Sequence, residues 1–284
     1  MEQRKVQAKD VFLLLGAIGA ALGLYLGVQI AGMIVVIVYF IAVQGYGVWA
    51  AVNMLYDSTV LMGLTCFMHV SFVLAFGIWY KFGFVKKNKI PFKQVYGIRN
   101  LACFVVLGFG LQFFISYVLE LVNILFPAVM EDYMRLLESM DIGNSFITLV
   151  VTVCLAPIGE ELMFRGVIMG YAKRVMPFVW ANLLQAILFG VYHMNLVQGM
   201  YAFAMGLLFG YLVKKCDSLL ASVAVHFVVN GSANLLTLLF SGESGATETT
   251  ETMGLVPVLA ISGISAVICG VACYFVKGRK KEQG

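Results

Sequence analysis

The sequence predicts an all-α fold, a polytopic membrane helical bundle of about eight transmembrane helices. The first observation is composition: the 284 residues are 61% hydrophobic and 12% charged, with a mean hydropathy of +0.93. Soluble domains carry about 25% charged residues, so this composition excludes a soluble class of protein. The second is that the apolar runs are continuous, which favours helices over a transmembrane barrel. We therefore expect one integral-membrane domain over residues 1–284.

Apolar runs of roughly the length needed to cross a bilayer follow one another along the chain, with short connections between them. The first run is too long for the apolar region of a signal peptide and has no small-residue cleavage pattern. We therefore predict an uncleaved first span. The fifth and sixth runs are shorter than a usual span. The runs lie near residues 11–43, 59–80, 101–126, 145–165, 178–195, 199–213, 219–240 and 255–276.

The third observation is that the charge of the connections alternates in sign. By the positive-inside rule both termini face the cytoplasm, and we expect a multi-pass protein of the plasma membrane. Arg135 alone breaks the alternation. The basic connections carry Arg4, Lys5 and Lys9, then Lys81, Lys86, Lys87, Lys89, Lys93 and Arg99, then Lys173 and Arg174, then Lys214 and Lys215, then Lys277, Arg279, Lys280 and Lys281. The acidic ones carry Asp57, then Glu131, Asp132, Glu138 and Asp141, then Glu243, Glu248 and Glu251.

The segment around Arg135, EDYMRLLESM, allows two interpretations. It is either a simple helical loop or an amphipathic surface helix, and we favour the helical loop. The amphipathic helix would place four residues on one side, namely Tyr133, Leu136, Leu137 and Met140.

Ionisable residues inside spans are costly and are functional hypotheses by default. Here they concentrate in three spans. Glu161 and Arg165 are spaced i, i+4, so they share a helix face, and we expect an ion pair that would largely cancel both charges. Glu160 is rotated by about 100° and needs a partner on another helix. Pro157 lies just ahead, so we expect a kink or a restart of the helix there.

Two later spans supply the groups that could complement Glu160. His226 and Asn230 share one helix face, and Phe189 and His193 repeat the same spacing. A carboxylate with an imidazole can take a proton from water, whereas a second imidazole and a carboxamide can donate hydrogen bonds to an oxyanion. The set is therefore suited to hydrolysis.

A zinc site is the alternative for the same residues, because two histidines and a glutamate form a known catalytic zinc shell. It would use Glu160, His193 and His226. The HExxH motif is absent and the histidines lie on separate helices, so we favour a metal-free site without a cofactor.

Two other classes of protein remain open from the residues alone. One is a proton- or ion-coupled transporter; the other is a non-catalytic membrane immunity or scaffold protein in which the cluster only stabilises the bundle. The sequence shows no inverted repeat of paired broken helices, which counts against a transporter. Away from the cluster, we expect His69 to be a hydrogen-bonded packing residue and Glu120 to snorkel toward the outer loop. The GxxxG motif at Gly206 and Gly210 predicts close helix packing.

Three motifs in order on successive spans resemble those of the CAAX-processing and bacteriocin-immunity (Abi) intramembrane proteases, which include type II CAAX prenyl endopeptidases. They are Glu160-Glu161-xxx-Arg165, Phe189-xxx-His193 and His226-xxx-Asn230. The similarity covers about residues 145–240, which we interpret as the catalytic core. The flanking helices and tails, residues 1–126 and 255–284, match only in being apolar.

The resemblance implies an intramembrane endopeptidase in which Glu160 and His193 activate water. It implies that His226 and Asn230 form the oxyanion site and that Glu161 and Arg165 hold the site in shape, with no metal required. The implied partners are membrane lipid and a membrane-associated protein or peptide substrate, with no nucleic acid. Members that act on CAAX proteins remove a C-terminal tripeptide after a prenylated cysteine, whereas other prokaryotic relatives have other clients.

Overall fold

The computed structural model describes residues 6–84, 95–139, 146–240 and 254–278. These residues form ten α-helices and no strand, which confirms the predicted all-α fold. The helices are α1 (Ala8–Ala42), α2 (Val48–Asn53), α3 (Ser58–Gly83), α4 (Ile98–Leu125), α5 (Pro127–Ser139), α6 (Phe146–Val175), α7 (Phe178–Tyr192), α8 (Leu196–Cys216), α9 (Leu219–Phe240) and α10 (Leu255–Phe275).

Seven of these helices are long and apolar enough to cross a membrane, so the chain is a multi-pass integral membrane protein. They are α1, α3, α4, α6, α8, α9 and α10. The fifth predicted span, α7, has only 15 residues and falls short of this length. The sixth, α8, has 21 residues and is longer than predicted, because the helix already begins at Leu196 and continues to Cys216.

Many of the charges that predict the topology lie outside the described residues, so the sides of the two termini stay a prediction. Arg135 is described, on α5. Its guanidinium lies 2.9 Å from the carboxylate of Glu131 and 3.5 Å from that of Asp132. These neighbours on the same helix compensate the one cation that breaks the alternation. The undescribed ranges are 1–5, 85–94, 140–145, 241–253 and 279–284.

The chain divides into two compact units. Unit 1 comprises Met1–Val85 and Met140–Ala181, and unit 2 comprises Lys86–Ser139 and Asn182–Gly284. The predicted catalytic core, residues 145–240, therefore draws α6 from unit 1 and nearly all of α7, with α8 and α9, from unit 2.

In unit 1, α3 packs against α1 and against the middle of α6. The start of α3 is fixed by Asp57, whose side chain accepts hydrogen bonds from the backbone N–H groups of Thr59 and Val60. Helix α6 is α-helical over Ala156–Glu161 and widens into π turns on both sides, over Val151–Leu155 and Leu162–Ile168. The helix continues through Pro157 and does not restart there.

In unit 2, α4 packs against α9 and α10, and their buried side chains form one apolar core with those of α8. Helix α5 joins this unit through Tyr133, which is buried against Val122, Met130 and Val197. The hydroxyl of Tyr133 lies 3.2 Å from that of Tyr201. The segment is thus helical, as both interpretations predict, and it packs on the protein as an amphipathic helix rather than forming the simple helical loop that we favoured. Met140 lies outside the described residues.

Candidate active site

The ion pair predicted on α6 is present in unit 1. Nη1 of Arg165 donates to Oε1 of Glu161 over 3.0 Å, and neither side chain is exposed. The i, i+4 spacing survives even though Arg165 lies within the second π turn. A fully buried carboxylate and guanidinium need each other, because either charge alone would be costly away from water.

Glu160 is placed differently from its neighbour, as the sequence predicts. It is half-buried, whereas Glu161 is fully buried. Its carboxylate also lies within electrostatic range of Arg165. Glu160 therefore lies near the cation of the buried pair and keeps a partly accessible side chain. A catalytic carboxylate needs such access to water or substrate.

His69, which the sequence analysis sets aside, belongs to the surroundings of Glu160. It lies on α3 in unit 1, is 9% exposed, and packs edge-on against Phe72 with ring centroids 6.3 Å apart. Glu160 is the charged group that acts on it. The predicted hydrogen bond is absent: within the described part of the chain, Nδ1 is buried and has no partner. The prediction of burial was right and that of a hydrogen bond was wrong.

In unit 2, a hydrogen bond fixes the proton on His193. Nδ1 lies 2.8 Å from the backbone carbonyl oxygen of Phe189, one turn earlier. A carbonyl only accepts, so Nδ1 carries a hydrogen, and in the neutral imidazole Nε2 then carries the lone pair. The last carbonyls of α7 have no partner within the helix, and the imidazole satisfies one of them. His193 is half-buried, so its Nε2 can serve as a base or a ligand.

His226 lies close to the same phenylalanine. The ring of Phe189 is edge-on to both imidazoles, with ring centroids 4.9 Å from His193 and 6.2 Å from His226. Both histidines therefore contact the same side chain. His226 is 3% exposed and also packs against Phe209 at 5.0 Å. Asn230 follows one turn later on α9 and is half-buried. Unit 2 therefore brings together the two predicted histidines, with the carboxamide on the helix of His226.

Glycines hold the α7–α8 hairpin tightly beside His193. A Cβ on Gly190 would lie 2.7 Å from the carbonyl oxygen of Gly199, closer than side chains tolerate. The turn contains Met194 with φ of 52°, and Asn195 caps α8 by accepting from the N–H of Gln198 over 3.0 Å. This close approach of α7 and α8 was not predicted from the sequence, although glycines on both sides of a short turn are a signal for it.

The GxxxG motif on α8 marks close packing, as predicted, and polar side chains of α7 fill the contact. Nε2 of Gln185 donates to the carbonyl of Gly206 over 2.8 Å, and Asn182 donates to the carbonyl of Leu207 over 3.0 Å. A Cβ on Gly210 would overlap Asn182. These bonds anchor the helix that carries His193.

An apolar groove of about 540 Å³ runs along the same hairpin. Its lining is almost entirely apolar and includes Ile187, Val191, Met194, Leu196, Met200 and Phe203. An apolar chain can therefore lie on the hairpin that presents His193.

Neither unit, within its described residues, contains a group of three or more histidine, cysteine, aspartate or glutamate side chains placed to hold a metal ion. The zinc set considered from the sequence takes Glu160 from unit 1 and His193 and His226 from unit 2. The roles of the six predicted site residues stay predictions.

The chain is similar to known proteins in the region that carries these residues. Residues 142–232 match the family model described as "Type II CAAX prenyl endopeptidase Rce1-like". The chain is also 28% identical over 82 residues to a Bacillus subtilis (strain 168) protein named "Putative membrane peptidase YdiL". That alignment covers 29% of this chain and 34% of the relative, so it spans about a third of the relative's length. No solved structure matches the chain.

The family match contains every predicted site residue, from Glu160 to Asn230. The resemblance predicted from the three motifs is therefore confirmed: over residues 142–232 the chain is similar to the Rce1-like type II CAAX prenyl endopeptidases.

Proposed function

We propose that the protein is an intramembrane endopeptidase that hydrolyses a peptide bond of a membrane-associated protein or peptide. The observation that carries the proposal is the family match over residues 142–232, because it includes all six predicted site residues. The matched relative, which is named as a membrane peptidase, supports the same class of activity.

In the proposed reaction Glu160 is the general base. Its carboxylate takes a proton from water while the water oxygen bonds to the carbonyl carbon of the substrate. Nε2 of His193 accepts a hydrogen bond from the same water, since Nδ1 is engaged with Phe189. The proton held by Glu160 then passes to the nitrogen of the leaving amine as the C–N bond breaks, giving a carboxylic acid and an amine.

The tetrahedral intermediate carries a negative oxygen that needs hydrogen-bond donors. We assign this role to an N–H of His226 and to the carboxamide of Asn230. Burial of His226 favours a fixed donor, because phenylalanines at positions 189 and 209 hold its ring. Glu161 and Arg165 position the α6 turn that carries Glu160 and take no part in the proton transfers.

The apolar groove on the α7–α8 hairpin supports a substrate that is itself apolar or carries a lipid chain, which a CAAX-like protein would do. Membrane lipid is the other partner that we propose for this surface. A zinc ion held by Glu160, His193 and His226 is the alternative way of activating water, and chelation distinguishes the two.

The test is a comparison of membrane proteomes from cells with the wild type, Glu160→Gln and Glu120→Gln. Glu120 is a matched control, because it is a half-buried glutamate on another apolar helix, α4. We expect C-terminal or juxtamembrane fragments that depend on the wild type and on Glu120→Gln but disappear with Glu160→Gln. Fragments that persist in Glu160→Gln would overturn the proposal.

A further inference from the structure

The buried imidazole of His69 has no role in the reaction described above, yet unit 1 places it beside the turn of Glu160. Its Nδ1 is buried without a hydrogen-bond partner among the described residues. An unsatisfied buried polar atom costs about 1–3 kcal/mol, so each one in a native protein calls for an explanation. Packing alone does not explain the buried imidazole, because an apolar ring would pack against Phe72 without the cost of an unsatisfied nitrogen.

The backbone of α6 approaches α3 most closely next to Glu160. Gly159 is buried, and a Cβ there would lie 3.3 Å from Cβ of Phe72 and 3.8 Å from the backbone nitrogen of Val73. Phe72 and Val73 follow His69 by three and four residues, so all three lie on one face of α3. The absence of a side chain at Gly159 thus lets the face of α3 that carries His69 contact the turn that carries Glu160.

The carboxylate of Glu160 also lies within electrostatic range of His69. The cation of Arg165, on the same helix, is paired with Glu161 at 3.0 Å and also lies within electrostatic range of Glu160. A neutral imidazole has one N–H group, and an N–H beside a carboxylate can donate to it and restrict its orientation.

We propose that His69 is a positioning residue for Glu160, which keeps the carboxylate oriented for taking a proton from water. The inference rests on the proposed function, since it assigns a partner to the base of that reaction. His69 itself contacts neither the water nor the substrate. Its effect is expected in the chemical step rather than in substrate binding.

The experiment compares three variants in purified, full-length protein. His69→Phe keeps an aromatic ring against Phe72 but removes both nitrogens. His69→Gln keeps a hydrogen-bonding group. Thr65→Val is the matched control, because Thr65 lies one turn earlier on the same face and its hydroxyl donates to the carbonyl of Leu61 at 2.8 Å. Each is assayed with a quenched fluorescent peptide that spans the cleavage site mapped in the membrane comparison.

We expect His69→Phe to lower kcat about tenfold or more with KM changed less than about twofold, since a misplaced base slows the chemical step. His69→Gln should recover most of the rate, and Thr65→Val should match the wild type. Thermal unfolding of all three should stay close to that of the wild type. A wild-type kcat in His69→Phe would overturn the inference, as would a rate loss in both His69 variants that parallels a loss of stability.

The two proposals fail in different ways. If the wild type cleaves no peptide, or if Glu160→Gln cleaves as fast as the wild type, the proposed function falls and the role of His69 falls with it. If Glu160→Gln is inactive while His69→Phe is fully active, the proposed function stands and only the inference about His69 is overturned.

Discussion

Removing the cation of the buried pair is expected to destabilise the protein strongly. In Arg165→Met, a side chain of similar length replaces the guanidinium, and Glu161 loses the group that lies 3.0 Å away. At this separation and an effective dielectric constant of about 20, the attraction amounts to about 5.5 kcal/mol. Breaking a buried pair by removing one partner typically costs about 3–5 kcal/mol. We therefore expect Arg165→Met to lower the free energy of unfolding by about 3–5 kcal/mol.

The assay is a double-mutant cycle, measured by reversible unfolding in mixed micelles and followed by circular dichroism. It includes Arg165→Met, Glu161→Gln and the double variant. We expect the double variant to be more stable than the two single losses added together predict, because no uncompensated charge remains.

The exposed pair on α5 is the control for this cycle. Glu131 and Arg135 have the same i, i+4 spacing and a similar distance of 2.9 Å, but their side chains are 68% and 64% exposed. Arg135→Met should therefore cost less than about 1 kcal/mol. If Arg165→Met cost no more than Arg135→Met, or if the two losses on α6 were simply additive, our account of the buried pair would be refuted.

Three further outcomes are expected. His193→Phe should lower kcat by about 10²–10⁴-fold in the peptide assay with little change in the unfolding temperature, because it removes the nitrogen that accepts from water. Activity should survive dialysis against a strong chelator; activity lost to the chelator and restored by Zn²⁺ would support the zinc set instead. Gly190→Ala should lose about 1–3 kcal/mol of unfolding free energy, since its Cβ would lie 2.7 Å from the oxygen of Gly199. Gly270→Ala, where nothing lies within 4 Å of the added Cβ, is its control and should not destabilise.

The sequence predicts the fold class and the ion pair well, because both depend on local pattern. Continuous apolar runs indicate spans whatever their packing, and residues four apart on a helix share a face. The α6 pair is therefore predictable even though a π turn intervenes. The length of α7 was less predictable, because the helix ends where the turn at Met194 and Asn195 forms. The position of that turn decides whether α7 is long enough to be a span.

The surroundings of Glu160 could not be predicted, because they depend on which face of α3 meets α6. His69 is an isolated histidine in an apolar run, and nothing in its neighbourhood along the chain indicates a carboxylate nearby. The signal was in the other helix: Gly159 precedes Glu160 and permits a close approach there. The tautomer of His193 could have been predicted from the sequence. At the end of a helix the carbonyl of Phe189 lacks a partner within the helix, and the imidazole four residues later can donate to it.

The central claim is that Glu160 activates water and forms no bond to the substrate. It is tested most directly by a single turnover in H₂¹⁸O, with enzyme in excess over peptide, followed by mass spectrometry of the product and of the enzyme peptide that contains Glu160. A general base predicts one ¹⁸O atom in the new carboxylate of the product and none in Glu160. Unlabelled product together with ¹⁸O in the side chain of Glu160 would show that the carboxylate attacks the substrate itself, and would contradict the account.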